Sequence, residues 1–277
     1  MRQRSNWPCL STRSSDAWEI AKTVAGMWII RPDQAQTQLS FMPFRRSLLL
    51  ALLLLQQVPV VQAADWGGAV GATSDFAYRG LTLSDNKPSG QIDLHYFSKS
   101  GWFAGATAAS VQRSRYDSTS LQIDAYAGYA WTPTDPWSLR LFGVHHDDPW
   151  NNPSGRYNYD ELSGTVAYAD RLSLSMSVLP DLAVESQNGW ADRRVALTYD
   201  AAFHQPLIGA LSANAGVGYY DLRWVADTGY VYWNAGLAYD FGKLELDLSY
   251  IGTDHTARSL FGSVAVNRLV GSLLWHF

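Results

Sequence analysis

From residue 65 to the end of the chain, apolar and polar side chains alternate with a period of two over almost every segment. The clearest example is 244–250, where leucines and a tyrosine alternate with two acidic residues and a serine. A β-strand has this period because successive side chains point to opposite faces of the sheet. The alternation therefore predicts an all-β fold in which each strand has one apolar face and one polar face.

Turn-forming residues divide this region into about 12 strands of about 9 to 14 residues. The connections alternate between mostly short ones, near 99–101, 132–136, 170–171, 204–209 and 241–243, and mostly longer ones, near 79–89, 113–118, 147–156, 185–191, 222–229 and 253–262. An even strand number with short turns at one end and longer loops at the other is typical of outer-membrane barrels. Lipid offers no hydrogen-bond partner to an open sheet edge, so the sheet must close. The predicted fold is a transmembrane antiparallel up-and-down β-barrel.

A soluble β-sandwich or lipocalin-like barrel is the alternative, because it would show the same alternation with its apolar face buried. The composition favours the membrane barrel. Charged residues make up 17% of the chain, against about 25% in ordinary soluble domains. The chain also contains 12 Trp and 15 Tyr, residues that suit a boundary between lipid and water.

Residues 42–63 have the three-part plan of a secretory signal peptide. A basic segment with two arginines precedes an apolar core at 48–55, and Val61 and Ala63 occupy positions −3 and −1 of a cut after Ala63. A buried core helix is the alternative interpretation of this stretch. The signal peptide predicts export, and with the barrel pattern it predicts location in the bacterial outer membrane.

The mature domain predicted by this cut is 64–277, and we interpret 1–41 as an upstream extension, with Met42 as the true start. Cys9 is the only cysteine and lies in that extension, so the mature chain has none. The mature chain has 14 Lys and Arg against 22 Asp and Glu, a net charge of about −8. This charge argues against a nucleic-acid partner, which needs a basic face.

Charged side chains lie on the polar faces of the predicted strands. Facing lipid at mid-depth costs about 2–4 kcal/mol for a Lys or Arg, so we expect these side chains to line the interior. The predicted pore-lining residues are Asp75, Asp93, Asp124, Arg140, Glu161, Arg194, Asp200, Asp240, Lys243, Glu245, Asp247 and Arg268. Acids outnumber bases in this set, which favours a diffusion pore for small polar solutes or ions with a slight preference for cations. Because 12 strands give an intermediate width, a charge network that plugs the barrel is the alternative.

Asp75 lies on the first predicted strand, which extends from 65 to 78, and Arg79 follows that strand directly; the two residues are four apart and share one face. The spacing allows two arrangements. The two side chains pair and tether the first long loop, or Asp75 lines the lumen while Arg79 is a solvated loop residue.

The segment 74–85 reads Ser-Asp-Phe-Ala-Tyr-Arg-Gly-Leu-Thr-Leu-Ser-Asp. It resembles the N-terminal signature of the TorF family of porins. The Pro-Ser-Gly at 88–90 and the Gly-Trp-Phe-Ala-Gly at 101–105 match the continuation of that signature, whereas Thr82 and Leu83 replace a more polar pair. The resemblance implies a Gram-negative outer-membrane barrel and implies no particular substrate.

An outer-membrane hydrolase is a second functional class, because outer-membrane lipases also use barrels of this size. It would need Ser, His and an orienting Asn or Asp grouped in space, and the sequence contains no Gly-x-Ser-x-Gly motif. His145 and His146 are adjacent, so in a strand they point to opposite faces and cannot bind one metal as a pair. We therefore predict no enzyme activity, cofactor or metal. A structural or adhesin-like barrel is a third class.

The chain ends on an apolar strand with no polar tail. Leu273, Trp275 and Phe277 alternate on one face. We predict that this strand pairs with the first one and closes the barrel. Its terminal aromatics resemble the signal that the barrel-assembly machinery recognises, which makes that machinery a predicted partner, together with outer-membrane lipid.

Overall fold

Twelve strands form one closed antiparallel barrel in the computed structural model, which describes residues 65–113, 118–150, 155, 157–186 and 189–277. The barrel strands are β1 (Asp65–Thr73), β4 (Ser89–Phe97), β5 (Trp102–Val111), β6 (Ser120–Thr134), β7 (Trp137–Asp147), β8 (Tyr159–Tyr168), β9 (Leu172–Ser186), β10 (Gly189–Pro206), β11 (Leu211–Leu222), β12 (Thr228–Phe241), β13 (Leu244–Thr253) and β14 (Arg268–His276). The predicted fold class is confirmed. The predicted signal peptide and upstream extension lie outside the described residues.

The seam between β1 and β14 closes the barrel, as the sequence predicted. Ala69 is paired with His276, and Thr73 is paired with Ser272. The amide of Phe277 donates to the carbonyl oxygen of Gly68 at 3.0 Å. These bonds leave no unpaired strand edge at the seam, and a β-sheet in lipid must have no such edge.

Two ends of the barrel differ in their connections, so we name them the short-turn end and the long-loop end. At the long-loop end, helices lie at Arg223–Ala226 and His255–Phe261, and a 3-10 turn at Gly262–Ala265. The last strand was predicted to begin at 263, but it begins at Arg268 because of that turn. The 185–191 loop was also predicted too long, since β9 and β10 extend into it. Among the described residues, no helix is long and apolar enough to cross a membrane.

The outer surface of the barrel is apolar, and aromatic rings cluster at the short-turn end. Four pairs have ring centroids 4.4–5.3 Å apart: Trp66 with Tyr96, Trp102 with Tyr129, Trp137 with Tyr168, and Tyr239 with Phe241. Aliphatic side chains are exposed above these rings, including Leu94, Leu141, Leu174, Val217, Leu237 and Leu248. An aromatic girdle below an aliphatic band is typical of a barrel surface in contact with lipid.

The interior has two different sides. On the β4–β7 side, an apolar cluster of Ala69, Phe97, Phe103, Tyr126, Phe142, Val144 and Leu274 is buried inside the barrel. On the β8–β9 side the inner wall consists of small hydroxyl residues, and Ser163 with Ser177 and Thr165 with Ser175 are hydrogen-bonded at 2.6 and 2.8 Å. The hydroxyl-lined wall therefore fills less of the interior than the apolar cluster does.

Candidate functional site

The segment 74–88 folds into the barrel instead of continuing the first strand. β1 ends at Thr73, whose register partner is Ser89, so the segment leaves and re-enters the wall at one point. It contains the hairpin of β2 (Ala77–Tyr78) and β3 (Leu81–Thr82). The prediction of one strand from 65 to 78 was therefore wrong. We call 74–88 the inner segment.

The hairpin turn of the inner segment consists of Arg79 and Gly80, with φ values of 49° and 81°. Positive φ at both central residues is the requirement of a type I′ turn, which suits the twist of a hairpin. A Cβ atom at Gly80 would lie 2.4 Å from Cγ2 of Thr253 on the wall. Glycine therefore permits both the turn and its close approach to β13.

Asp75 holds the base of the inner segment. Its Oδ2 lies 3.0 Å from Nε of Arg268 on β14. Its Oδ1 accepts hydrogen bonds from Oγ1 of Thr82 at 2.5 Å and from Oγ of Ser84 at 2.8 Å. Asp75 is 5% exposed, and a buried carboxylate needs such partners to remain charged. Asp75 thus links the base of the inner segment to β14 in the barrel wall, and it also links two parts of the inner segment to each other.

Arg79 attaches the tip of the hairpin to the barrel wall. Its Nη2 donates to Oε1 of Glu161 on β8 at 2.7 Å. Tyr78 donates from its hydroxyl to the other Glu161 oxygen at 2.8 Å, and Tyr230 donates to the carbonyl oxygen of Arg79 at 3.1 Å. The guanidinium also lies over the rings of Tyr78 and Tyr220, with its carbon 4.5 and 4.9 Å from their centroids.

The charge of Arg79 is stabilised where it lies. Burial opposes the charged form, but Glu161 favours it, and the pKa of Arg79 is above its ordinary value. Removing one partner of a buried ion pair costs about 3–5 kcal/mol, because the other charge is left uncompensated. Loss of either partner of the Arg79–Glu161 pair should therefore weaken the attachment of the hairpin tip to the wall.

Glu161 belongs to a wider polar network on the inner wall. Nε2 of His146 lies 3.8 Å from Oε2 of Glu161. Nδ1 of His146 is 2.8 Å from Oδ1 of Asp124, and its ring stacks on Tyr159 with centroids 4.3 Å apart. The attachment point of the hairpin is thus held in place by three neighbouring strands, β6, β7 and β8.

The structure places most of the predicted pore-lining residues inside the barrel. Those buried there are Asp75, Asp93, Asp124, Glu161, Asp200, Glu245, Asp247 and Arg268. Arg140 and Asp240 are half-buried on the same inner faces. Arg194 and Lys243 are exposed instead. Arg194 pairs with Asp192 at 3.6 Å near the β9–β10 connection, and Lys243 lies in a short turn.

Asp75 lines a cavity inside the barrel, as the second predicted arrangement has it, but the rest of the two arrangements does not occur. The two residues do not pair with each other, because Asp75 contacts Arg268 and Arg79 contacts Glu161. Arg79 is buried at 6% exposure, so it is not a solvated loop residue. The residues that sequence reasoning missed at this site are Tyr78, Tyr220 and Tyr230.

Two cavities lie beside the inner segment. The larger, of about 50 Å³, is lined by residues that include Thr73, Asp75, Asp247 and Ser272. The smaller, of about 20 Å³, is lined by residues that include Glu161, Ser163, Thr165, Ser175, Ser177 and Asp200. Arg79 lines both cavities. Polar cavities of this size hold water, since one molecule needs about 10–15 Å³ on this measure.

The two adjacent histidines point to opposite faces, as predicted. His145 is exposed and pairs with Asp160 at 2.7 Å, whereas His146 is buried inside the barrel. No group of three or more candidate metal ligands occurs among the residues that the structure describes.

A serine and a histidine approach each other on the exposed helix, where Oγ of Ser259 is 3.4 Å from Nδ1 of His255. The neighbouring Asp254 instead caps the helix, because its carboxylate accepts from the amide of Ala257 at 2.9 Å. A hydrolytic relay needs the acid to orient the histidine. Asp254 does not do so here.

The closed barrel with its polar interior defines a porin-like β-barrel protein. The "NanC porin" structure shares the fold, with 10% sequence identity, a TM-score of 0.51, and coverage of 76% of this chain and 98% of that chain. The chain belongs to the family described as "Bacterial protein of unknown function (Gcw_chp)", whose profile matches residues 62–276.

Two further structures match with TM-scores below 0.5. The "KdgM porin" is 10% identical with a TM-score of 0.47, covering 77% of this chain and 99% of that one. Outer membrane phospholipase A from Escherichia coli is 16% identical with a TM-score of 0.39, covering 79% of this chain and 92% of that one. No curated protein matches the chain.

Proposed function

We propose that this protein is a narrow outer-membrane channel for the passive diffusion of small polar solutes or ions. One observation carries the proposal: the closed barrel is apolar and aromatic outside, and inside it has buried charges and two cavities that charged side chains line. Charged side chains face inwards because they are costly against lipid. A polar, water-holding interior is what conduction across lipid requires.

The finer assignment is a TorF-type porin of the Gram-negative outer membrane. It is supported by the resemblance of 74–85 to the TorF signature and by the signal-peptide plan of 42–63. The assignment includes insertion by the barrel-assembly machinery, with Leu273, Trp275 and Phe277 as the recognised aromatic face. These three side chains are 45–54% exposed on the outer surface.

The inner segment sets the narrowest part of the proposed channel. It is attached to β14 through Asp75 and to β8 through Arg79, so it crosses the interior from one wall to another. A closed structural barrel is the second candidate, because the apolar cluster on the β4–β7 side also fills part of the interior. The hydroxyl-lined β8–β9 side is the route that the channel proposal needs.

Planar-bilayer recording of the refolded mature protein tests the proposal. We expect discrete single-channel steps of low conductance, because the cavities beside the inner segment are small. Heat-modifiable mobility on a gel is the control that the barrel has folded. A folded barrel without any steps would instead support the closed structural barrel.

A further inference from the structure

We propose that Arg79 determines both the width and the charge preference of the passage, and that the passage favours small cations. This inference rests on the proposed function of the barrel as a channel. It goes beyond it by naming the residue that selects and the class of solute selected.

Arg79 determines the width because its side chain separates the two cavities. It is the charged residue that lines both of them. The guanidinium is wedged between the rings of Tyr78 and Tyr220, and the turn with Gly80 fixes the backbone beneath it. The side chain is 5% exposed, yet its Nη1 atom makes no hydrogen bond to any described residue.

The charges around Arg79 are unequal. Four carboxylates line the two cavities, Asp75 and Asp247 in the larger and Glu161 and Asp200 in the smaller. Two guanidinium groups oppose them, namely Arg79 itself and Arg268, which contacts Asp75. With all six groups ionised, four negative and two positive charges leave a net charge of about −2 at the narrowest point.

Two of these carboxylates are held by hydroxyl groups at the cavity walls. Asp200 accepts a hydrogen bond from the hydroxyl of Tyr232, and Asp247 accepts one from Oγ of Ser249 at 2.8 Å. Asp75 and Glu161, by contrast, are close to Arg268 and Arg79. In a narrow passage with little water, such fixed charges act strongly on a permeating ion. Cations are therefore favoured, and Arg79 is the group that limits this preference.

Removing a positive charge and removing negative charges at this site should shift the ion selectivity in opposite directions. A purely structural effect of the substitutions would not do so. The readout is the reversal potential under a potassium chloride gradient. We expect the wild-type channel to prefer cations. Arg79→Gln should raise the cation-to-anion permeability ratio by about twofold or more. The Asp200→Asn/Asp247→Asn double variant should lower this ratio by a similar factor. Arg79→Ala should also increase the conductance, because it joins the cavities.

The matched control is Asp160→Asn, which removes a carboxylate that is exposed on the outside and 59% accessible, and should leave the ratio unchanged. Gel mobility confirms folding of each variant. If the variant lacking Arg79 is unfolded, the double variant still gives the decisive measurement. Conducting wild type without cation preference, or shifts of the same sign in both variants, would overturn the inference and leave the channel proposal standing. Folded proteins that never conduct would overturn both.

Discussion

Replacing the inner segment with a two-residue Asn-Gly turn is expected to raise the single-channel conductance several-fold. Thr73 and Ser89 are register partners on neighbouring strands, so a type I′ turn can join β1 to β4 without moving either strand. The replacement removes Arg79 and the hairpin from the interior, and the space along the β8–β9 wall becomes continuous with the two cavities. Planar-bilayer recording measures the change.

The control for this replacement is Lys87→Ala. Lys87 belongs to the inner segment but is exposed, and its ammonium group donates to Gln112 at 2.9 Å outside the interior. Its conductance should equal that of wild type. If the replaced barrel folds and still conducts like wild type, the narrowest point lies elsewhere, and the apolar cluster around Phe103 and Phe142 becomes the barrier.

Deleting residues 275–277 is expected to abolish assembly in the outer membrane without blocking export. Trp275 pairs with Val70 on β1 and with Leu244 on β13, so the deletion opens the seam at the short-turn end. Phe277 also packs against Gly68, where an added Cβ would lie 2.7 Å from its Cζ. The unpaired edge that remains is costly in lipid. Fractionation and heat-modifiable mobility measure assembly, and release of the signal peptide measures export.

Leu269→Ala is the matched control for the deletion. Leu269 lies on the same outer face of β14 and is 62% exposed, but it is far from the terminal aromatics. It should assemble normally. Normal insertion of the truncated chain would show that the terminal aromatics are only the end of a strand and carry no assembly signal.

The strand number and the inward charges were predictable because they depend on a local pattern. In the proposed membrane barrel each strand has one face towards lipid and one towards the interior, so the period of two is preserved along most of the barrel. Asp93, Asp124 and Glu245 were placed on the correct face by this pattern alone. The same pattern failed for Arg194 and Lys243, which lie where the strands leave the membrane-facing part of the wall.

The inner segment was not predicted, because its residues continue the alternation of β1 while its contacts are distant in sequence. Arg79 and Glu161 are 82 residues apart. The Arg79-Gly80 dipeptide was the available sequence signal for a hairpin turn, although an Asn-Gly dipeptide predicts such a turn more strongly. The helix at His255–Phe261 had a clearer signal, since Asp254 is a favourable N-cap residue.

The central claim is that a polar passage runs inside this wall and lipid lies outside it, and neighbouring residues on β9 test it directly. Ser175 lines the smaller cavity, whereas Leu174 is 51% exposed on the outer surface. Residues 64–277 contain no cysteine, so in that part of the chain Ser175→Cys and Leu174→Cys introduce single reactive thiols. During single-channel recording, a small water-soluble cationic thiosulfonate should lower the current of Ser175→Cys stepwise and leave that of Leu174→Cys unchanged. An unchanged current for Ser175→Cys, or equal reduction in both variants, would contradict the account.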